Sequence, residues 1–158
     1  GLLKTEKELA ITDAELKFMA PKPKNVTAAI YVDGSYSTNN PNIAGWAFVT
    51  VGGKTRSGSL TGEVVKLRNI GAEIKATVEA IRFAMAAGKT DITIYHDYIG
   101  MKHWADGTWK AKLEYTRKYA MWMQKLPANV HVTFVKVIAA NNPADVIARS
   151  ITGAQDRH

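Results

Sequence analysis

The chain has 158 residues, enough for one domain with a substantial core, and its 46% hydrophobic and 22% charged composition is that of a globular protein. It contains no cysteine, which excludes a disulfide framework and a thiolate zinc site, and no apolar run approaches the ~20 residues needed to cross a bilayer. A formal net charge of +7 points to a polyanionic partner such as nucleic acid, because each phosphate neutralised by Lys or Arg releases condensed counterions.

Residues 1–25 differ from the rest. Thr12 and Glu15 have capping-box spacing in TDAELKFMA, and PKPKN stops any helix. The stretch reads as a short helix and Pro/Lys linker, consistent with the tail of an upstream domain, and the folded domain is expected over 26–155. AAIYVDG (28–34) reads as a strand that ends in a carboxylate. IAGWAFVTV (43–51) and KTRSGSLTG (54–62) read as two more, joined by a two-residue hairpin turn at Gly52-Gly53. GAEIKATVEAIRFAMAAG (71–88) carries Ile74, Val78, Ile81 and Met85 at helical spacing, with Gly88 as its stop.

DITIYHD (91–97) is a strand again and also ends in an acid. Two helical stretches follow near 98–106 and 112–126, the second with Tyr115, Tyr119, Trp122 and Leu126 on one face. NVHVTFVKV (129–137) alternates as a strand, and NNPADVIARSI (141–151) opens a last helix with Pro143 suited to its first position. This order predicts an α/β fold with one mixed sheet. Its first three strands would be antiparallel, strands 4 and 5 would be reached by helical crossovers, and helices would cover the faces.

Four acids stand at element ends: Asp33 and Asp97 after strands, Glu73 and Asp145 in the first turns of helices. Each has an ordinary explanation taken singly. Asp33 before Gly34-Ser35 suits a turn, Asp97 can begin the next helix, and Glu73 and Asp145 suit helix dipoles, Asp145 also closing a cap with Asn142. Ligands of open α/β sheets, however, collect at the carboxyl ends of strands, where all four would converge. Four like charges in one place repel, and cations hold such clusters together. An all-oxygen ligand set points to Mg²⁺ or Mn²⁺, and two such ions suit phosphodiester displacement.

The segments IYVDGSY, RNIGAE, ITIYHDYIGMKHWADGTWKAK and NPADVIAR resemble type 1 ribonuclease H over about residues 27–153, and are most similar to the bacterial branch that often carries an N-terminal hybrid-binding domain. The resemblance implies a ribonuclease H-like fold, with a five-stranded mixed sheet flanked by helices. It also implies a metal-dependent endonuclease that hydrolyses the RNA strand of RNA–DNA hybrids, leaving 3′-hydroxyl and 5′-phosphate ends. Asp33, Glu73, Asp97 and Asp145 match the four family acids, which would bind two Mg²⁺ ions, with Mn²⁺ as a substitute. Asn69 matches an asparagine that contacts bases in the minor groove. The backbone at Gly34 and Ser35 matches the segment that reads RNA 2′-hydroxyls. Trp104, Trp109, Lys110 and Lys112 lie where the family grips the DNA strand, and Asn141 keeps the family spacing before the last acid.

The sequence departs from the family between strand 5 and the last helix. A mobile loop with a histidine is expected there, and Ile138, Ala139 and Ala140 stand in its place. Strand alternation predicts that His96 faces away from Asp97, so it is no substitute. Two rivals compete with the ribonuclease reading: a junction resolvase-like D-E-D-D nuclease, and a hybrid-binding module of low turnover. Resolvases tend to keep their last two acids close together on one helix, whereas Asp97 and Asp145 belong to different elements. No membrane partner is expected, the expected location is the cytoplasm, and nothing in the sequence demands more than a monomer.

Overall fold

A computed structural model describes residues 25–62, 65, 68–97 and 114–153. The expected N-terminal helix and linker, the expected helix near 98–106, and Trp104, Trp109, Lys110 and Lys112 lie outside the described residues. Five strands are β1 (Thr27–Tyr36), β2 (Ala44–Thr50), β3 (Thr55–Leu60), β4 (Asp91–His96) and β5 (His131–Lys136). Three α-helices among the described residues are α1 (Asn69–Ala86), α2 (Glu114–Gln124) and α3 (Pro143–Thr152). The sheet order is β3-β2-β1-β4-β5, antiparallel from β1 to β3 and parallel from β1 through β4 to β5, as the element order predicts.

β1 is the central strand and is covered on both faces. Its even residues Ile30 and Val32, with Phe48, Ile92 and Ile94, form a buried layer under α1. Fully burying a side chain the size of Phe48 contributes roughly 1.5–3 kcal/mol. The expected apolar face of α1 is present, with Ile74 and Ile81 buried, but an alanine row at Ala72, Ala76, Ala80 and Ala84 is also fully covered. Those small side chains, four residues apart, let the helix lie close to the sheet. The helix ends as expected: Gly88 has φ 78°, and the Gly88 and Lys89 N–H groups donate to the Met85 and Ala84 carbonyls, each at 2.9 Å.

The other face of the sheet carries α3. Ala47, Ala144 and Ala148 are buried there, with Tyr31, Val49 and Ile147 packed around them. Gly45 permits the close approach, because a Cβ at that position would stand 2.4 Å from the Ala148 carbonyl oxygen. α2 buries Thr116 and Tyr119 and packs beside α1 through Ile74, Tyr115 and Met123.

Three local expectations need correction. The turn after β2 is a three-residue loop, Val51 to Gly53, closed by Thr50 N–H to Lys54 carbonyl at 2.8 Å, with Gly53 at φ 95°. Its left-handed third residue matches the strand twist as a bulge, which a two-residue reading of Gly52-Gly53 misses. β1 does not end at Asp33. It runs on to Tyr36, because Asp33, Gly34, Ser35 and Tyr36 remain paired with Ala47, Trp46, Gly45 and Ala44 of β2. α1 begins at Asn69, two residues earlier than the apolar periodicity indicates, so Glu73 is not in the first turn, which holds no acid.

Candidate active site

The site follows from where two parallel strands part. β1 and β4 pair in parallel up to Tyr31 and Tyr95, whose rings stack on one face of the sheet at 4.8 Å. Side chains alternate along a strand, so the residue two further on in each chain returns to that face. In β1 that residue is Asp33, held straight by β2. In β4 it is Asp97, the first residue beyond the strand. Asp33 therefore sits in mid-strand, where β1 outruns β4 and leaves a gap at the sheet edge. It is not a turn residue.

α3 crosses the same face and brings Asp145 to the gap. One carboxylate oxygen from each of Asp33, Asp97 and Asp145 lies within 4.8 Å of the others, and among the described residues this is the one group of acids and histidines at metal-holding distance. Glu73 comes from α1, on the opposite face, and hydrogen-bonds to the Asp97 side chain. Burial pushes the Glu73 carboxyl well above the usual carboxylate range, and the charges of Asp97 and then Asp33 push it further. Its Oε1 is buried without a hydrogen-bond partner among the described residues. A buried, partnerless carboxylate oxygen beside three gathered carboxylates fits a hard divalent cation. Such a cation would supply the positive charge that the gathered carboxylates call for.

A helix dipole does not account for Glu73, which lies in the second turn of α1. Asp145 is in the first turn of α3, but it does not close the expected cap: the Asn142 N–H donates instead to the Ala139 carbonyl at 3.0 Å. Asn142 itself caps α3 through its side chain.

Arg149 is a site residue that the sequence reading did not single out. Its Nε and Nη2 donate to Asp145 Oδ2 at 2.9 and 2.8 Å, and the pair is buried. The i, i+4 spacing of Asp and Arg on a helix was the available signal. The guanidinium neutralises part of the cluster's charge.

Two of the remaining expected contacts, Gly34 and Ser35, follow Asp33 in β1. Gly34 is buried and its N–H donates to Asp33 Oδ1 at 2.9 Å. Ser35 is buried, and its hydroxyl meets that of Thr152 at 3.1 Å, so the side chain ties β1 to α3 and leaves only its backbone for a substrate. Asn69 is the first residue of α1, and its side chain lies outside the described residues. Asn141 is exposed in the single 3₁₀ turn, Ala139–Asn141, that connects β5 to α3. His96 is buried with its ring edge-on to Phe134 at 5.8 Å, on the α1 face and away from Asp97, as strand alternation requires. Further along β1, a cleft of about 660 Å³ is lined by Tyr36, Pro41, Asn42, Thr61, Val65 and Arg68. Arg68 stands in it at φ 56°, its guanidinium 5.6 Å from the Tyr36 ring centre.

Comparison with known proteins agrees with this geometry. A curated ribonuclease H of Cyanothece sp. is 33% identical over 87 residues, which is 52% of this chain and 54% of that protein, so the chain matches about half the length of that relative. RNase H1 of Halobacterium salinarum NRC-1 has the same fold at 20% identity, with a TM-score of 0.62 over 81% of this chain and 99% of that one. The N-terminal RNase H domain of a Mycobacterium tuberculosis protein, solved as a fusion with maltose-binding protein, gives 22% identity and a TM-score of 0.65 over 82% of this chain and 95% of that one. LC11-RNase H1, solved in complex with an RNA/DNA hybrid, gives 18% and 0.62 over 78% of this chain and 94% of that one. The family model for RNase H matches residues 25–152, which spans every element described above, and the chain therefore belongs to the RNase H family.

Proposed function

We propose that the chain is a divalent-metal-dependent endonuclease that cuts the RNA strand of RNA–DNA hybrids, leaving 3′-hydroxyl and 5′-phosphate ends. The observation that carries this reading is the convergence of Asp33, Asp97 and Asp145 within 4.8 Å, with buried Glu73 completing the set. A protein that only bound nucleic acid would gain nothing from holding four anions together against their repulsion. Asp97 and Asp145 lie on β4's end and on α3, which favours a ribonuclease H over a resolvase. The hybrid bound to LC11-RNase H1 supports the choice of substrate.

Asp33, Glu73, Asp97 and Asp145 would hold two Mg²⁺ ions, which when bound would activate a water and stabilise the leaving oxygen of a phosphodiester. The protein's own part is rigidity. β2 pins Asp33 in mid-strand, α1 fixes Glu73, and Arg149 holds one Asp145 oxygen and leaves the other side of that carboxylate to the cluster. In this reading the backbone at Gly34 and Ser35, next to Asp33 in β1, would meet RNA 2′-hydroxyls, and exposed Asn141, four residues before the last acid, would add a further substrate contact.

Incubation with a strand-labelled RNA–DNA hybrid, in Mg²⁺ and separately in Mn²⁺, tests the proposal against duplex DNA and duplex RNA. Cleavage of RNA only in the hybrid, abolished by EDTA and by Asp33→Asn, is the expected result. Binding of the hybrid without cleavage would overturn the enzyme reading.

A further inference from the structure

Asn142 is a buried amide, 3% exposed, at the junction of the two faces of the site. Its Oδ1 accepts the Ala144 N–H at 3.0 Å and so caps α3. Its Nδ2 donates to the Val32 carbonyl in β1 at 2.8 Å. Val32 directly precedes Asp33, and Ala144 directly precedes Asp145. One planar side chain thus joins the backbone immediately before two of the clustered acids.

Capping alone does not require this residue. Ser, Thr or Asp would accept the Ala144 N–H equally well. The second bond is what an amide adds. The parallel ladder between β1 and β4 ends at Tyr31, so a β1 carbonyl beyond it has no β4 partner, and the Asn142 amide takes that place for Val32. α3 otherwise rests on the sheet through alanines and Gly45, and the Ser35–Thr152 hydroxyl contact ties its far end to β1. The bond from the helix cap to the strand fixes the other end, where the acids meet.

We propose that Asn142 is a positioning residue: it sets the separation of Asp33 from Asp145 and thereby the cation affinity of the cluster. The inference rests on the metal site proposed above and adds a determinant outside the carboxylates. It acts through the two backbones and touches neither ion nor substrate.

Asn142→Ser in the full chain separates positioning from capping, because the shorter hydroxyl keeps the Ala144 bond and cannot also reach Val32. Mn²⁺ affinity by titration calorimetry should fall about tenfold or more, in the range seen when partners of metal ligands are lost. The kcat on hybrid at fixed Mn²⁺ should fall with it, KM for the hybrid should stay unchanged, and excess Mn²⁺ should restore most of the kcat. Asn142→Ala should show the same loss of affinity together with a lower Tm from the missing cap. Should Asn142→Ala fail to fold, Asn142→Ser decides alone. Wild-type Mn²⁺ affinity in Asn142→Ser, even with a lowered Tm, would reduce Asn142 to a brace of the fold and overturn the proposal. If the wild-type protein binds Mn²⁺ but cuts no hybrid, the nuclease reading fails, and the comparison of affinities still decides the role of Asn142.

Discussion

Replacing Asp33 with asparagine should make the metal-free protein more stable while removing its response to metal. Asn has the same shape as Asp and keeps the Oδ1 acceptor for the Gly34 N–H, so the local hydrogen bond survives. What goes is a negative charge that meets two others, Asp97 and Asp145, within 4.8 Å. At an effective dielectric of about 20, two unit charges at that distance repel by roughly 3.5 kcal/mol. The Asp145 contribution is largely offset by Arg149, and half-buried Asp97 is partly screened by solvent, which leaves a net gain of about 2–3 kcal/mol. For a domain of this size that is a rise of about 5–10 °C in Tm. Thermal unfolding in EDTA near pH 7.5 measures it. Added Mg²⁺ should raise the wild-type Tm by mass action and leave the variant almost unmoved, so that the difference between them narrows. An Asp33→Asn protein less stable than wild type in EDTA would refute the reasoning, since it would mean that the carboxylates are held by attraction and need no cation.

Three further outcomes follow from the same geometry. Because the Glu73 carboxyl titrates above its unfolded value, its stabilising protonation is complete at acid pH and is lost as pH rises through the folded pKa. The metal-free protein should therefore lose stability from mildly acid pH upward, and Glu73→Gln should flatten that slope in denaturant titrations at several pH values. Arg149→Met should cost about 3–5 kcal/mol by urea unfolding, because it strands the buried Asp145 oxygen that now accepts two guanidinium bonds. Gly45→Ala should lower Tm and weaken Mn²⁺ binding together, since the new Cβ must push α3, and Asp145 with it, away from β2.

How much of this was legible before the fold was known depends on range. Alternation and helical spacing are properties of a few consecutive residues, so β4, α1 and α3 could be placed within a few positions, and His96 could be assigned to the face away from Asp97. The four acids were legible as a set because each lies near a strand or helix end, where mixed sheets gather ligands. The errors came where a neighbour's pairing decides the outcome. Whether β1 stops at Asp33 depends on β2 continuing opposite it, which no stretch around Asp33 records. The true start of α1 depends on Arg68 adopting φ 56°, a conformation costly for a side chain with a Cβ and invisible in helical periodicity.

Those misplacements bear on the chemistry. If β1 ended at Asp33, the carboxylate would hang from a loop and could turn away from its neighbours. With β2 paired through Tyr36, the backbone that carries it cannot move away without breaking hydrogen bonds, so the repulsion of the cluster is stored and remains available to a cation. The same holds for Glu73: in a first turn its charge would be eased by the helix dipole, whereas one turn further in it is left to burial and to Asp97. The site draws its affinity for metal from acids that the fold will not let relax, and the elements that prevent relaxation are those that local sequence describes least.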